Sequence, residues 1–157
     1  MNVLGHGMAP DHCLVALDKN NLVGVLGIQT ASGGFLDPPL RSMTGEYGLT
    51  AGLYKLAGLS LLQHRTAGDE CYVDGIAVAE AMRGQGVGTK LIAHLKRVAK
   101  NRNFRRITLE VTNTNHRAQA LYGRLGFAES RRVSLWPFND IYGLPFSSVT
   151  TMEKELN

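Results

Sequence analysis

The sequence predicts an α+β fold: helices layered with a mixed, mostly antiparallel sheet in an α/β/α arrangement. Three observations carry this. Apolar patterns follow one another in the order β-β-(helices)-β-α-β-α-β-β. The first two β-like runs are joined by Asp18-Lys19-Asn20-Asn21, strong hairpin turn chemistry. A clean amphipathic helix follows Gly84, Gly86 and Gly88 and leads into a strand that alternates Ile107, Leu109 and Val111 with Thr108, Glu110 and Thr112.

At 157 residues the chain reads as one domain, 1–157, able to bury a core without disulfides or metals. Its 44% hydrophobic and 19% charged residues exclude a disordered chain. A formal charge of +4 favours anionic ligands such as nucleotides. No Lys/Arg run is interleaved with aromatics, so no nucleic-acid partner is expected. Cys13 and Cys71 are too few for a disulfide framework and form no C-x-x-C pair, which points to a reducing, cytoplasmic setting. The five histidines make no zinc pattern, and His6 and His12 read as surface or tail residues. No secretory signal is visible at the N-terminus.

In chain order, residues 1–12 read as a tail because Gly5, Gly7 and Pro10 interrupt any period. Cys13–Leu17 and Leu22–Ile28 are the hairpin strands, with Gly24 and Gly27 marking a bulge or a close backbone approach. Ala31 to Pro39 is a loop. Between Leu40 and His64, leucines recur at helical spacing among four glycines, which predicts two short helices as an insertion covering one side of the sheet. A lid over an acceptor pocket or a dimer face is the sharper reading. Lys55 interrupts an apolar run already shorter than the roughly 20 residues a membrane span needs, so no membrane association is expected. Cys71–Val78 is a strand. The following helix puts Val87, Leu91, Ile92, Leu95, Val98 and Ala99 on one face, with basic residues toward its C-terminal end. Asn115 suits a helix N-terminus, Ala118, Leu121, Tyr122 and Leu125 share one face of a short helix, and Gly126 ends it. Phe127–Leu135 and Ser147–Leu156 are closing strands, joined by a long aromatic connection from Trp136 to Pro145.

The glycine stretch is where chemistry concentrates. Alternate glycines allow positive φ and let an anion approach backbone N–H groups, and the helix behind them presents its own unpaired N–H groups and positive dipole end. Arg83 adds a charge at the rim. A phosphate site follows from this geometry. A P-loop is excluded because no Gly-Lys-Ser/Thr is present, and a dinucleotide turn fits poorly because Thr89 stands where its third glycine belongs.

The order Val78-x-x-x-x-Arg83-Gly84-x-Gly86-x-Gly88, then Leu109-Glu110-Val111, Asn115-x-x-Ala118-x-x-Leu121-Tyr122-x-x-Leu125-Gly126-Phe127, resembles the GNAT superfamily of acetyl-CoA-dependent N-acetyltransferases. The resemblance is in register from about Cys71 to Phe127, the acetyl-CoA-binding core. It implies a V-shaped splay between two central parallel strands. It also implies a pyrophosphate loop at Arg83, Gly84, Gln85, Gly86, Val87 and Gly88, with Thr89 as the first helix side chain. The strand edge at Ile76, Ala77 and Val78 would pair with the pantetheine arm as an added strand, and the Val78 N–H would polarise the thioester oxygen. Asn115 matches a cofactor-contacting asparagine, and Tyr122 the general acid for the departing thiolate. Glu80 stands where the family usually has proline.

For the base, the resemblance to ribosomal-protein alanine acetyltransferases points to Glu110 on the shared Leu-Glu-Val strand. Asp74 and Glu70, on one alternating face of the preceding strand, are rivals acting through water. Deprotonating a lysine-type amine at neutral pH costs about 4.6 kcal/mol, against roughly 1–1.4 for an α-amine, so the acceptor decides how much a base must do. Family members usually begin with a strand and helices before the hairpin, and that layer is absent from the sequence pattern. The reading is an enzyme that transfers acetyl from acetyl-CoA to an amine, of a small molecule or a peptide, by direct attack in a ternary complex, with a homodimer left open. A CoA-binding regulatory module without turnover and a dinucleotide-dependent oxidoreductase are the alternatives.

Overall fold

The computed structural model describes residues 2–4, 12–31, 33–34 and 68–156. Its strands are β1 (Asn2–Leu4), β2 (Cys13–Asp18), β3 (Asn21–Thr30), β4 (Gly33–Gly34), β5 (Glu70–Val78), β6 (Arg106–Thr112), β7 (Ala128–Ser134) and β8 (Ser148–Glu155). Its helices are α1 (Val87–Asn101), α2 (His116–Arg124) and α3 (Phe138–Tyr142), with a 3-10 turn at Glu80–Met82. The sheet runs β1-β2-β3-β5-β6-β8-β7, with β4 paired to β3 off this path. Of these pairings, only β5 with β6 is parallel, and its connection carries α1 as the crossover helix that a parallel pair needs.

Local sequence explains the elements. Lys19 and Asn20 take φ of 46° and 69°, the left-handed pair that a two-residue hairpin needs to match strand twist. In α1, Leu91, Ile92, Leu95 and Ala99 are fully buried. They pack on the sheet face formed by Leu26, Ile28, Cys71, Val73, Ile107 and Leu109. Burying each such aliphatic side chain contributes about 1.5–3 kcal/mol. Gly24 is where the helix comes closest: a Cβ there would lie 3.0 Å from Val87 Cγ1 and 3.2 Å from Leu91 Cδ1.

The feature that makes a site is a failure of pairing. β5 pairs with β6 only from Glu70↔Arg106 to Val73↔Leu109, although β5 continues to Val78 and β6 to Thr112. On its other side β5 carries one extra residue, since Gly27 pairs with Gly75 but Ile28 pairs with Val73. This bulge at Asp74 bends the strand and increases its twist. It also reverses the alternation, so that Cys71 and Val73 face the core before it, and Ile76 and Val78 pack there after it. β6 stays with β8 along its whole length, and the two parallel strands part. The expected V-shaped splay is present, and Gly27 does mark a bulge.

Several expectations are corrected. Asn2–Leu4 is not tail but strand, pairing with Val15–Leu17 of β2, so a first strand before the hairpin does exist. A short β4 lies in what reads as loop, because Gly33 and Gly34 fold back on Thr30 and Gln29. The aromatic connection contains α3, closed by Gly143 in the left-handed conformation. His12 is half-buried, with Nε2 3.3 Å from Thr30 Oγ1, and is no loose tail residue. The predicted helical insertion at 40–64 lies outside the described residues.

Candidate active site

The splay opens into a cleft of about 630 Å3 with three walls. Ile76, Ala77 and Val78 of β5 form the first, Arg83, Gly84, Gly86, Val87, Gly88 and Thr89 the second, and Asn115, Ala118, Leu121 and Tyr122 of α2 the third. They converge at the base, where a methyl on Gly88 would touch Leu121 at 3.5 Å and Ile76 at 3.8 Å.

The β5 wall is polar despite its side chains. The Ala79 N–H donates to the Val23 carbonyl at 2.9 Å, which sets the antiparallel alternation. Ala77 therefore turns its backbone groups to β3, while those of Ile76 and Val78 face the splay. Two N–H donors point at whatever occupies the V, and the Ile76 carbonyl is an acceptor beside them. The Val78 carbonyl accepts from Arg83 Nε at 3.3 Å, a bond that anchors this side chain at the rim.

The second wall is an anion cradle. Gly84 and Gly86 both take φ of 79°, where a side chain strains the backbone, and a Cβ on either would have no protein atom within 4 Å. The first helical bond is Lys90 N–H to the Gly86 carbonyl at 3.0 Å, so the N–H groups of Val87, Gly88 and Thr89 have no intrahelical acceptor. Gln85 turns away, its amide bonded to the Ala81 carbonyl at 2.8 Å, and it does not line the cleft. Three guanidinium groups do: Arg83, Arg117 and Arg124. An elongated ligand with an apolar arm, hydrogen-bonding amides and a polyanionic end fits these residues.

On α2, Asn115 caps the helix by accepting from the Ala118 N–H at 3.2 Å through Oδ1, which leaves its amide donors available. Tyr122 is buried, tilted against Phe127 with ring centroids 6.0 Å apart, and among the described residues no hydrogen bond holds its hydroxyl. Burial pushes the Tyr122 phenol above its ordinary range, so it stays protonated and able to donate.

The carboxylates sit elsewhere. Asp74 and Glu110 do not line the cleft; each is the first residue beyond the last parallel pair, at the fork of the V. Both lie on the sheet face opposite α1. Tyr72, two residues from Asp74, is buried and hydrogen-bonded through its side chain to Glu110. Burial first, then the charges of Glu110 and Asp74, push the Tyr72 phenol up. Glu70, weighed as a rival base, is buried and tied to the Thr108 hydroxyl, with Arg106 Nε at 3.8 Å. It serves the fold. Sequence reasoning missed Tyr72, Arg117 and Arg124. Arg117, Leu121 and Arg124 share one helical face at i, i+4 and i+7, a pattern that could have flagged both arginines. Among the described residues no group of three or more His, Cys, Asp or Glu is placed to hold a metal.

Residues 5–127 match the family model described as acetyltransferase (GNAT) family. This chain belongs to that family, which sets aside the dinucleotide reading. N-alpha-acetyltransferase 30 of Schizosaccharomyces pombe is 36% identical over 76 residues, 48% of this chain and 51% of that protein. The chain thus spans about half of that relative's length. The ribosomal-protein-S18-alanine N-acetyltransferase of Escherichia coli superposes with a TM-score of 0.61 at 18% identity, covering 98% of this chain and 73% of that one. A streptothricin-type acetyltransferase structure from Bacillus anthracis, in complex with acetyl coenzyme A, gives 0.62 at 20% identity, covering 91% and 61%. At these identities the structures speak to the fold.

Proposed function

We propose that this chain is an N-acetyltransferase that moves an acetyl group from acetyl-CoA to an amine, within a ternary complex. The observation that carries the proposal is the parting of β5 and β6 directly above the anion cradle of α1. Bound there, acetyl-CoA supplies an activated acetyl thioester. The Ile76 and Val78 backbones pair with its pantetheine arm as an added strand. The N–H groups of Val87, Gly88 and Thr89, with Arg83, Arg117 and Arg124, hold its phosphates. Asn115 contacts the same ligand through its free amide.

The acceptor amine enters from the face of Asp74 and Glu110. Glu110, positioned by Tyr72, takes the amine proton directly or through water, and Asp74 adds negative charge that draws in a cationic amine. The Val78 N–H donates to the thioester oxygen as negative charge develops on it. Tyr122 gives its proton to the departing sulfur. The acceptor is a small molecule or a peptide; an α-amine asks least of the base because it is already partly neutral near pH 7. Two free, buried cysteines suit a cytoplasmic setting.

The test is thiol release from acetyl-CoA against a panel of peptide α-amines, lysine-type amines and small aminated compounds, with calorimetric titration of acetyl-CoA beside it. Amine-dependent release by at least one acceptor is expected. Tight binding with no release across the panel would support a CoA-binding regulatory module instead, and an absence of binding would end both readings.

A further inference from the structure

Behind the cleft, three elements meet at one oxygen. Lys96, in the third turn of α1, donates from Nζ to the Leu125 carbonyl at 2.9 Å. Lys154 of β8 donates to the same carbonyl at 3.0 Å and reaches that of Gly126 at 3.5 Å. Leu125 is the C-cap of α2, one residue past Arg124 of the cleft wall. The carbonyl has two lone pairs, and a helix C-terminus favours cations, so one oxygen accommodates both donors. Gly126 makes the approach feasible, since a Cβ there would sit 2.5 Å from Lys154 Nζ.

The arrangement is unstable as two full charges. Among the described residues neither amine has a carboxylate partner. Sharing the one Leu125 oxygen places the two amines side by side. Two ammonium groups so close repel each other, and loss of one proton relieves that repulsion. Burial, then the Lys154 charge, hold the Lys96 amine below the ordinary lysine range. Lys154, with its second carbonyl contact, satisfies Leu125 without Lys96.

We propose that Lys96 is a self-modification site, acetylated directly by acetyl-CoA without the transfer machinery of the cleft. A lysine beside another cation is an activated amine nucleophile. Its nitrogen lone pair attacks the thioester carbonyl carbon; the C–N bond forms and the C–S bond breaks. The electron pair leaves on sulfur, and the proton shed by nitrogen ends on CoA as its thiol. The product keeps an amide N–H but can no longer carry a charge beside the C-cap of α2, the helix that carries Tyr122. Acetyl-CoA thereby marks the enzyme it serves. The inference rests on the proposed function only in naming acetyl-CoA as the donor this chain meets.

The experiment incubates the full chain with acetyl-CoA, without acceptor, and maps acetyl-lysine by mass spectrometry over time. Lys96 is expected to react about fivefold or more faster than Lys90 and Lys100, the exposed lysines of the same helix. Lys154→Gln removes the neighbouring charge and is expected to slow Lys96 by a similar factor, while Tyr122→Phe leaves its rate unchanged. Equal rates at Lys96, Lys90 and Lys100, or abolition by Tyr122→Phe, would overturn the proposal. Acetylation of Lys96 with no turnover of any amine panel leaves this inference standing and removes the enzymatic reading. Turnover without preference for Lys96 does the reverse.

Discussion

Tyr122 and Tyr72 are both buried tyrosines, and their hydroxyls separate their roles. The Tyr122 hydroxyl has no hydrogen-bond partner among the described residues and faces a cleft, so removing it takes away a proton donor and little packing. Tyr122→Phe is expected to lower kcat by about 100-fold or more, with the KM for acetyl-CoA and the melting temperature nearly unchanged. Steady-state thiol release and a thermal melt check this, and an unaltered kcat removes the acid assignment. The Tyr72 hydroxyl instead binds Glu110. An O–H donating to a carboxylate favours its ionised form. Tyr72→Phe is therefore expected to raise the pKa of Glu110 and move the acidic limb of the pH–rate profile to higher pH. Glu110→Gln should abolish that limb. A limb unmoved by either change points to Asp74 or water as the base.

At the scale of elements, the loop between β5 and α1 depends on backbone shape more than on side chains. Gly86 is the N-cap of α1 at φ of 79° and ψ of 8°, with no side-chain cap bond. Gly86→Ala costs about 1–2 kcal/mol of backbone strain, which lowers the melting temperature by roughly 2–8 °C for a domain of this size. Its Cβ also enters the space left for an anion. Calorimetry should therefore show acetyl-CoA affinity falling by more than the stability loss alone explains. Equal affinity in the variant would place the phosphates elsewhere. The Asn115 cap at α2 is the complementary case, because one side chain holds the helix and still has donors to offer.

For the whole molecule, both faces of the sheet bury side chains: Cys71 lies in the hydrophobic cluster with α1, and Cys13 is buried outside that cluster. Cys13 and Cys71 are 4% and 0% exposed. Burial raises both thiols above the ordinary range, Cys71 to about 12. Since only the thiolate reacts, an aromatic disulfide reagent at pH 8 should label neither cysteine in the native chain and both after denaturation. Rapid native labelling would contradict this packing. Buried in this way, the native protein thiols add nothing to a CoA thiol signal. No helix of the described residues is long and apolar enough to cross a membrane.

Much of the fold is legible from the chain because its signals are local. Period-2 and period-3.6 patterns, the Lys19-Asn20 turn, the Asn115 cap and the alternate glycines act within a few residues of themselves. The strands, both principal helices and the anion cradle can therefore be read directly. Asn2–Leu4 could not, because three residues become a strand only through pairing with β2. Nor could the site be completed locally. The splay arises from one extra residue in β5 relative to β3, and register is set between segments far apart in the chain. That bulge puts Asp74 and Glu110 at the fork, brings Tyr72 to Glu110, and opens the cleft that Arg117 and Arg124 line. By itself the sequence determined the donor loop and the helix that carries Tyr122. Only the tertiary structure decided where the strands part, and with it which carboxylates stand at the fork and which arginines line the cleft, because pairing between distant strands is not encoded in the neighbours of any one residue.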